Sequence, residues 1–254
     1  MSLPVWTVLP LFQSSPRELT EVVRAVESLG LAGVVATDHL AGWRNPSDPV
    51  LEAVTVLGMV GAVAECRVGS LVLQTALRSP SYTADVVETL SSITRSSPLI
   101  GLGVGDSRSR REVEAVGMEL PPVAERIVRL KETVAAIRSR TPDVEIWVGG
   151  WRPELREVAA ECADGWNAWG GRPEAFQAAA HHIRRINPGV LISWGAVLDT
   201  SRGIDSLRRV LKQRVDAGAQ ALVLALTPPR AATIRRWAPL LLGNTSSHPG
   251  AEPY

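Results

Sequence analysis

Residues 5–40 read VWTVLPLFQSSPRELTEVVRAVESLGLAGVVATDHL. The run Val5–Val8 is short and apolar, as strands buried on both faces are. Ser15-Pro16-Arg17-Glu18 then has the form of a capping box with proline at the first helical position. Leu19, Val22, Val23, Val26 and Leu29 follow at helical spacing on one face, and Gly30 closes the helix. A second apolar strand, Gly33–Ala36, comes next. Strand, amphipathic helix, strand is the pattern that decides the fold.

The alternation continues along the chain. Further strands are predicted at Val68–Leu73, Leu99–Gly103, Glu145–Val148, Gly165–Ala168, Leu191–Ala196 and Ala221–Leu226, most of them continuous apolar runs. Ile204, Leu207, Val210, Leu211 and Val215, closed by Gly218, repeat the design of the first helix. The fourth connection is the longest and holds two helix patterns, Arg108–Ala115 and Val123–Ile137. Eight strands with helices in strict alternation predict a single α/β domain, a (β/α)8 TIM barrel; a doubly wound sheet is the alternative. The 254 residues suit a barrel and leave little for insertions. The barrel is predicted over residues 1–242. The Gly-, Pro- and Ser-rich residues 243–254 read as a disordered tail.

Composition narrows the function. Hydrophobic residues make up 45% and charged residues 21%, enough for a large core. A net charge of +1 argues against nucleic acid as a partner. The basic residues are 25 Arg and 2 Lys. Cys66 and Cys162 form no short-spaced motif, which suggests a reducing compartment and a cytoplasmic protein. Met1–Val8 lacks the features of a signal peptide. The longest apolar stretch, Val54–Ala64, is too short to span a bilayer, so no membrane partner is expected. No histidine has metal-ligand spacing with cysteine or acidic residues, and none is expected to bind a metal. His181 and His182 read as mid-helix and solvated.

In a (β/α)8 barrel the site lies where strands end and βα loops begin. After the second strand comes Thr37-Asp38-His39-Leu40-Ala41-Gly42-Trp43. After the third come Gln74, Thr75 and Arg78. After the fourth comes Gly103-Val104-Gly105-Asp106; after the fifth, Gly149-Gly150-Trp151-Arg152-Pro153; after the sixth, Trp169-Gly170-Gly171. Asp38-His39 is the one acid–histidine pair at a strand end. Either His39 exchanges a proton near neutral pH with Asp38 tuning it, or Asp38 caps a turn and His39 packs under a loop. Gly101-Leu102-Gly103-Val104-Gly105 is G-x-G-x-G rather than the dinucleotide fingerprint, and tight turning explains its glycines. Asp106 reads either as the N-cap of the next helix or as a carboxylate facing the mouth. Gly149-Gly150 before a helix is an anion-site candidate, with a tight turn as its other reading. No P-loop lysine and no G-x-S-x-G elbow is present, which disfavours kinases and α/β-hydrolases.

Several of these blocks resemble the luciferase-like monooxygenase superfamily, whose barrels use FMN or the deazaflavin coenzyme F420. The blocks are Val35-Ala36-Thr37-Asp38-His39-Leu40, then Gly101–Gly105 with Glu112-Val113-Glu114-Ala115-Val116-Gly117 and Glu125-Arg126. Ile146-Trp147-Val148-Gly149-Gly150 and Ala163-Asp164-Gly165-Trp166-Asn167 complete the set. Asp38-His39 followed by Trp43 is similar to the F420-dependent branch. The resemblance implies His39 and Trp43 at the deazaflavin face, with Asp106 as the acid after strand four. The catalytic set is thus His39, Asp106 and Trp43. The resemblance also implies a non-prolyl cis peptide in strand three, for which Leu71-Val72 is the matching step. That step would lie against the deazaflavin ring, and Asp38, Leu71, Val72, Gln74 and Val104 are counted among the cofactor-binding residues. The backbone around Gly149, Gly150 and Trp151 would hold the coenzyme phosphate, with Trp169 and Gly170 close by.

The implied activity is hydride exchange between F420 and an organic small molecule by a homodimer. An FMN-dependent monooxygenase and a homologue that binds without turnover are the alternatives. Two features depart from the family. The connection after strand seven is minimal, and the basic residues that bind sugar phosphate have no clear counterparts. Eight tryptophans stand against two Phe and two Tyr. Trp6 and Trp237 read as packing at the barrel rim or a helix. Trp147, Trp166 and Trp194 read as filling barrel or pocket. Trp43, Trp151 and Trp169 lie beyond strand ends, as flat walls.

Overall fold

Eight parallel strands close on themselves in sequence order. They are β1 Val5–Val8, β2 Gly33–Ala36, β3 Arg67–Gln74, β4 Leu99–Gly103, β5 Glu145–Gly149, β6 Gly165–Trp169, β7 Leu191–Asp199 and β8 Ala221–Thr227. Closure is the pairing of β1 with β8, Val5 opposite Leu222 and Thr7 opposite Leu224. This computed structural model describes residues 3–42, 48–106 and 109–242. The chain is therefore the (β/α)8 barrel its alternation predicts, and the doubly wound alternative is excluded. The proposed tail at 243–254 and Trp43 lie outside the described residues.

The first helix, α1 Pro16–Ser28, forms where its caps place it. Ser15 N–H donates to Glu18 Oε2 at 2.9 Å, and Glu18 N–H donates to Ser15 Oγ at 3.3 Å. At its other end Leu31 N–H reaches back to Val26 O and Gly30 N–H to Glu27 O, with Gly30 at φ +63°. That is a Schellman ending, which a left-handed glycine permits. The helices α2 Ala53–Gly61 and α3 Pro80–Ile93 follow β2 and β3. Two helices, α4 Ser109–Ala115 and α5 Val123–Arg140, fill the long fourth connection as expected. Then come α6 Pro153–Cys162, α7 Pro173–Ile186, α8 Ile204–Asp216 and α9 Ala231–Leu241. Only a 3-10 turn, Thr200–Arg202, separates β7 from α8, so the seventh connection is short.

Two apolar layers hold the barrel. The larger lies between strands and helices and includes Val34, Ile100, Ile146, Trp166 and Trp194. The smaller fills the barrel interior with Trp6, Val35, Leu71, Leu99, Trp147, Ala221 and Val223. Trp6 is thus an interior residue rather than a rim residue. A tryptophan fits there because Trp147 crosses it edge to face at 6.2 Å and Arg67 lies 5.2 Å over its ring. Arg67 also donates to Glu145 at 2.7 Å, and Trp147 Nε1–H donates to the same carboxylate at 2.7 Å. The interior tryptophans, the cation and the acid plug the lower barrel. Trp166 and Trp194 sit on the outer face instead, Trp166 stacked on Phe176 of α7 at 5.8 Å. Trp237 packs from α9 as expected.

Candidate active site at the barrel mouth

Side chains alternate inward and outward along each strand. With Trp6, Trp147 and Val223 inside the barrel, the next inward positions are Val8, Gly149 and Ala225. The same alternation turns Gly103, Trp169, Gly195 and Val197 inward at the upper end. None of these residues carries a charge. Three of them are glycines because a larger residue already occupies their space. A Cβ on Gly103 would lie 2.4 Å from Val72 Cγ2, one on Gly149 2.6 Å from Val72 Cγ1, and one on Gly195 2.5 Å from the Trp169 ring. The result is a shallow, neutral floor formed by Val72 and Trp169 lying across glycine backbone. Val197 is 58% exposed and Trp169 38% exposed on this surface. Exposed apolar groups at a barrel mouth mark a ligand surface. The Leu71–Val72 peptide in β3 is cis, as the resemblance implies.

On the β2 side stands His39. Its Nδ1 lies 3.1 Å from Glu112 Oε1 and 3.3 Å from Oε2, and Leu40 N–H donates to Glu112 Oε2 at 2.8 Å. Burial pushes the Glu112 carboxyl up, but the bonds from His39 and Leu40 outweigh it and leave the group below its ordinary value. The Phe12 ring flanks His39 at 5.6 Å. Beneath them Asp38 is buried. Its Oδ2 accepts from Arg78 Nη1 at 2.6 Å and from Gln74 N–H at 2.8 Å, and its Oδ1 accepts from Arg78 Nη2 at 3.2 Å. Gln74 Nε2 returns a bond to Asp38 O at 2.6 Å. The oxygen of that amide, Gln74 Oε1, is buried and finds no donor among the described residues.

Across the barrel, three and four strands from β2, lie the loops after β5 and β6. Their tryptophans are interlocked through indole N–H donors. Trp166 Nε1–H donates to Gly150 O at 2.9 Å, Trp194 Nε1–H to Gly170 O at 2.7 Å, and Trp151 Nε1–H to Trp169 O at 2.8 Å. Each loop is thus tied to an indole carried by another strand or loop. The helices that start here, α6 and α7, both begin with proline, and Arg152 and Arg172 at their N-cap positions supply no side-chain cap. With no side-chain cap on either first turn, these helix N-termini suit an anion. Positive charge gathers nearby. Burial, and then Arg152 and Arg110, hold the Arg126 guanidinium below its ordinary value. Arg126 ties the β4 loop by donating to Gly105 O at 2.8 Å and to Val104 O.

The expected residues therefore fall into four groups. His39, Val72, Gly149 and Trp169 reach the mouth, with Gly150, Trp151 and Gly170 beside them. Leu71 and Val104 are buried, Leu71 in the barrel interior and Val104 in the outer core. Asp38 and Gln74 are buried beneath His39. Asp106 bonds reciprocally with Ser109: Ser109 N–H donates to Asp106 Oδ1 and Asp106 N–H to Ser109 Oγ, both at 3.1 Å. The acid bonded to His39 Nδ1 is Glu112, which the sequence offers only as part of a family block. Their separation of 73 positions hides the contact from any spacing argument. Among the described residues no group of His, Cys, Asp and Glu can hold a metal. No described helix is long and apolar enough to cross a membrane.

Comparison with known proteins follows the same lines. The model of the luciferase-like monooxygenase family matches residues 5–145. F420-dependent glucose-6-phosphate dehydrogenase of Amycolatopsis mediterranei is 31% identical over 140 residues, covering 53% of this chain and 39% of that protein. The protein of the same name from Kineococcus radiotolerans is 30% identical over 216 residues, covering 82% of this chain and 60% of that protein. The chain thus spans less than two thirds of the length of these curated relatives. An F420-dependent secondary alcohol dehydrogenase, solved with an F420-acetone adduct, superposes with a TM-score of 0.79 at 14% identity, covering 94% of this chain and 98% of that one. The long-chain alkane monooxygenase LadA superposes with a TM-score of 0.73 at 11% identity, covering 96% and 91%. At such identities the structural likeness establishes the fold.

Proposed function

This chain belongs to the luciferase-like monooxygenase family, and on that premise we propose that it is an F420-dependent oxidoreductase acting on a small neutral organic molecule. One observation carries the reading. The mouth has a flat, uncharged floor with a histidine–carboxylate pair on one side and two uncapped helix N-termini on the other. A tricyclic ring with a phosphate-bearing tail has that division of character. The names of the curated relatives support F420 over FMN.

The residues present fit the coenzyme. Val72, Gly103 and Gly149 would bear the ring, and the unpartnered acceptor Gln74 Oε1 would take a donor from it. The N–H groups around Gly149, Gly150 and Trp151, with Trp169 and Gly170 beside them, would hold the phosphate. Coenzyme F420 supplies a two-electron hydride acceptor or donor at C5 when bound. His39 would move the accompanying substrate proton. Asp106, on the loop after β4, stays the candidate for a second proton-transfer group, and Trp43 for the substrate wall. A neutral floor suits a neutral alcohol or carbonyl compound better than a sugar phosphate.

Titration of the purified protein with F420 and with FMN, followed by ligand fluorescence, tests the reading. We expect F420 to bind and to be reduced by a member of an alcohol panel, and His39→Ala to bind F420 while losing about a hundredfold or more in turnover. Binding of FMN alone overturns it in favour of a monooxygenase. F420 binding without turnover on any substrate overturns it in favour of a non-catalytic homologue. A homodimer and a cytoplasmic location belong to the same proposal; light scattering decides the first, and the free thiols of Cys66 and Cys162 support the second.

A further inference from the structure

Glu112 lies 73 positions from His39, yet its carboxylate meets the imidazole and the neighbouring main chain together. Oε2 takes the Leu40 N–H at 2.8 Å, which fixes the carboxylate against the backbone that carries His39. Oε1 lies 3.1 Å and Oε2 3.3 Å from Nδ1. An ionised carboxylate accepts and cannot donate. A ring nitrogen at this distance from it is satisfied only when it bears the proton. In a neutral imidazole the other nitrogen then holds the lone pair.

We propose that Glu112 is a positioning residue that locks neutral His39 as the Nδ1–H tautomer and so assigns proton transfer to Nε2. The assignment rests on the proposed oxidoreductase activity for its use, though not for its test. In alcohol oxidation the hydroxyl proton would pass to Nε2 as the C–H hydride leaves for the coenzyme. The ring becomes an imidazolium, with its new positive charge against the Glu112 carboxylate. In carbonyl reduction, with the reduced coenzyme as the hydride source, Nε2–H would return that proton to the substrate oxygen. With the opposite tautomer Nε2 would carry the proton in the neutral ring and could not accept one.

Nothing in the local sequence produces this arrangement. Glu112 sits on α4, in the enlarged connection after β4, and two strands separate that connection from the end of β2 in chain order. Burial at this contact is graded: the His39 side chain is 25% exposed and that of Glu112 12% exposed. The pair is shielded enough to be specific while still open to the mouth. Arg78 and Gln74 N–H already engage the Asp38 carboxylate, so the acid adjacent in sequence is committed to a different task.

The test needs no coenzyme. Two-bond 1H–15N correlation spectra of the 15N-histidine-labelled full chain report the tautomer of each imidazole, and His39→Gln identifies the signal. The wild type is expected to show neutral His39 with a protonated Nδ1 and an unprotonated Nε2. Glu112→Gln keeps an acceptor oxygen and should retain this tautomer. Glu112→Leu should convert it to Nε2–H or to a mixture. A wild-type ring protonated on Nε2 overturns the proposal, as does an unchanged tautomer in Glu112→Leu. A Leu variant that fails to fold leaves the wild-type and Gln spectra to decide: loss of Nδ1–H in a folded Gln variant also overturns it. In the loaded enzyme Glu112→Gln should lower kcat with little change in KM and should bind F420 as the wild type does. Absence of F420 binding in every variant, with the tautomer as expected, would instead remove the proposed activity and leave this assignment standing.

Discussion

Arg78 clamps Asp38 from beneath the second strand, with Nη1 2.6 Å from Oδ2 and Nη2 3.2 Å from Oδ1. Asp38 has 1% of its side chain exposed and Arg78 11%. Arg78 extends the network by donating to Glu52, which caps the start of α2. A buried ion pair is costly to break because the remaining charge has no water to return to. Asp38→Asn or Arg78→Met should therefore destabilise the protein by about 3–5 kcal/mol. For a chain of this size the melting temperature should fall on the order of 10 °C. Thermal unfolding followed by circular dichroism measures it, and a loss within the usual scatter of surface substitutions would contradict the clamp.

The floor of the mouth makes a sharper demand. Gly149 and Gly103 leave no room for a methyl group because Val72 lies over both. Gly149→Ala must push Val72 off the floor, and F420 should bind about tenfold more weakly. Removing the obstruction should reverse the effect. In the double variant Gly149→Ala, Val72→Ala, affinity should recover toward that of Val72→Ala alone, a coupling that fluorescence titration of the four proteins resolves. Additive losses would mean that the two residues do not share one surface.

How much of this was legible in the sequence depends on how far apart the partners stand. Every strand was readable, because most are local apolar runs and helix patterns separate them. Their ends were less so: β7 extends to Asp199 beyond the predicted Ala196, since pairing with β8 continues through Asp199 opposite Thr227. The mouth residues were readable from the rule that sites follow strand ends. Trp6 was not, because strand position alone does not tell the barrel interior from its rim. Glu112 escaped as a partner of His39 for a related reason. Its contact is made by the closing of the barrel, which no local periodicity records.

The interlocked tryptophans predict a local rather than global weakness. Trp151→Phe keeps an aromatic ring but deletes the N–H that holds Trp169 O. A single such bond contributes about 1 kcal/mol. It fastens one loop to another, so its loss should open the loop while leaving the barrel's unfolding unchanged. Hydrogen exchange at residues 149–151 and 169–171 should accelerate about fivefold, with an unaltered melting temperature. F420 affinity should fall by a similar factor if these loops hold its phosphate. Faster exchange with unchanged affinity would place the phosphate elsewhere.

The Glu112 carboxyl supplies a prediction in pH. Its value in the folded chain lies below the ordinary 4.5, because burial, which raises it, is outweighed by the bonds from His39 and Leu40. A group depressed on folding binds protons less readily in the native state than in the unfolded one. Its stabilising contribution is therefore complete above the unfolded value and lost as pH falls through the folded one. The Glu112 carboxyl's contribution to the difference in melting temperature between wild type and Glu112→Gln should be complete above the ordinary glutamate value and shrink as the solution is acidified below it. Glu52 is depressed in the same direction, with burial opposed by bonds from Thr55 and Val54 and by Arg78. Glu52→Gln should show the same convergence in acid, and as a helix cap it is a control without His39. The two differ in how they respond to His39→Gln. That substitution should diminish the Glu112 effect and leave the Glu52 effect intact, since only Glu112 derives part of its depression from the imidazole. An undiminished Glu112 effect in the His39→Gln background would mean that the carboxylate serves the Leu40 main chain alone.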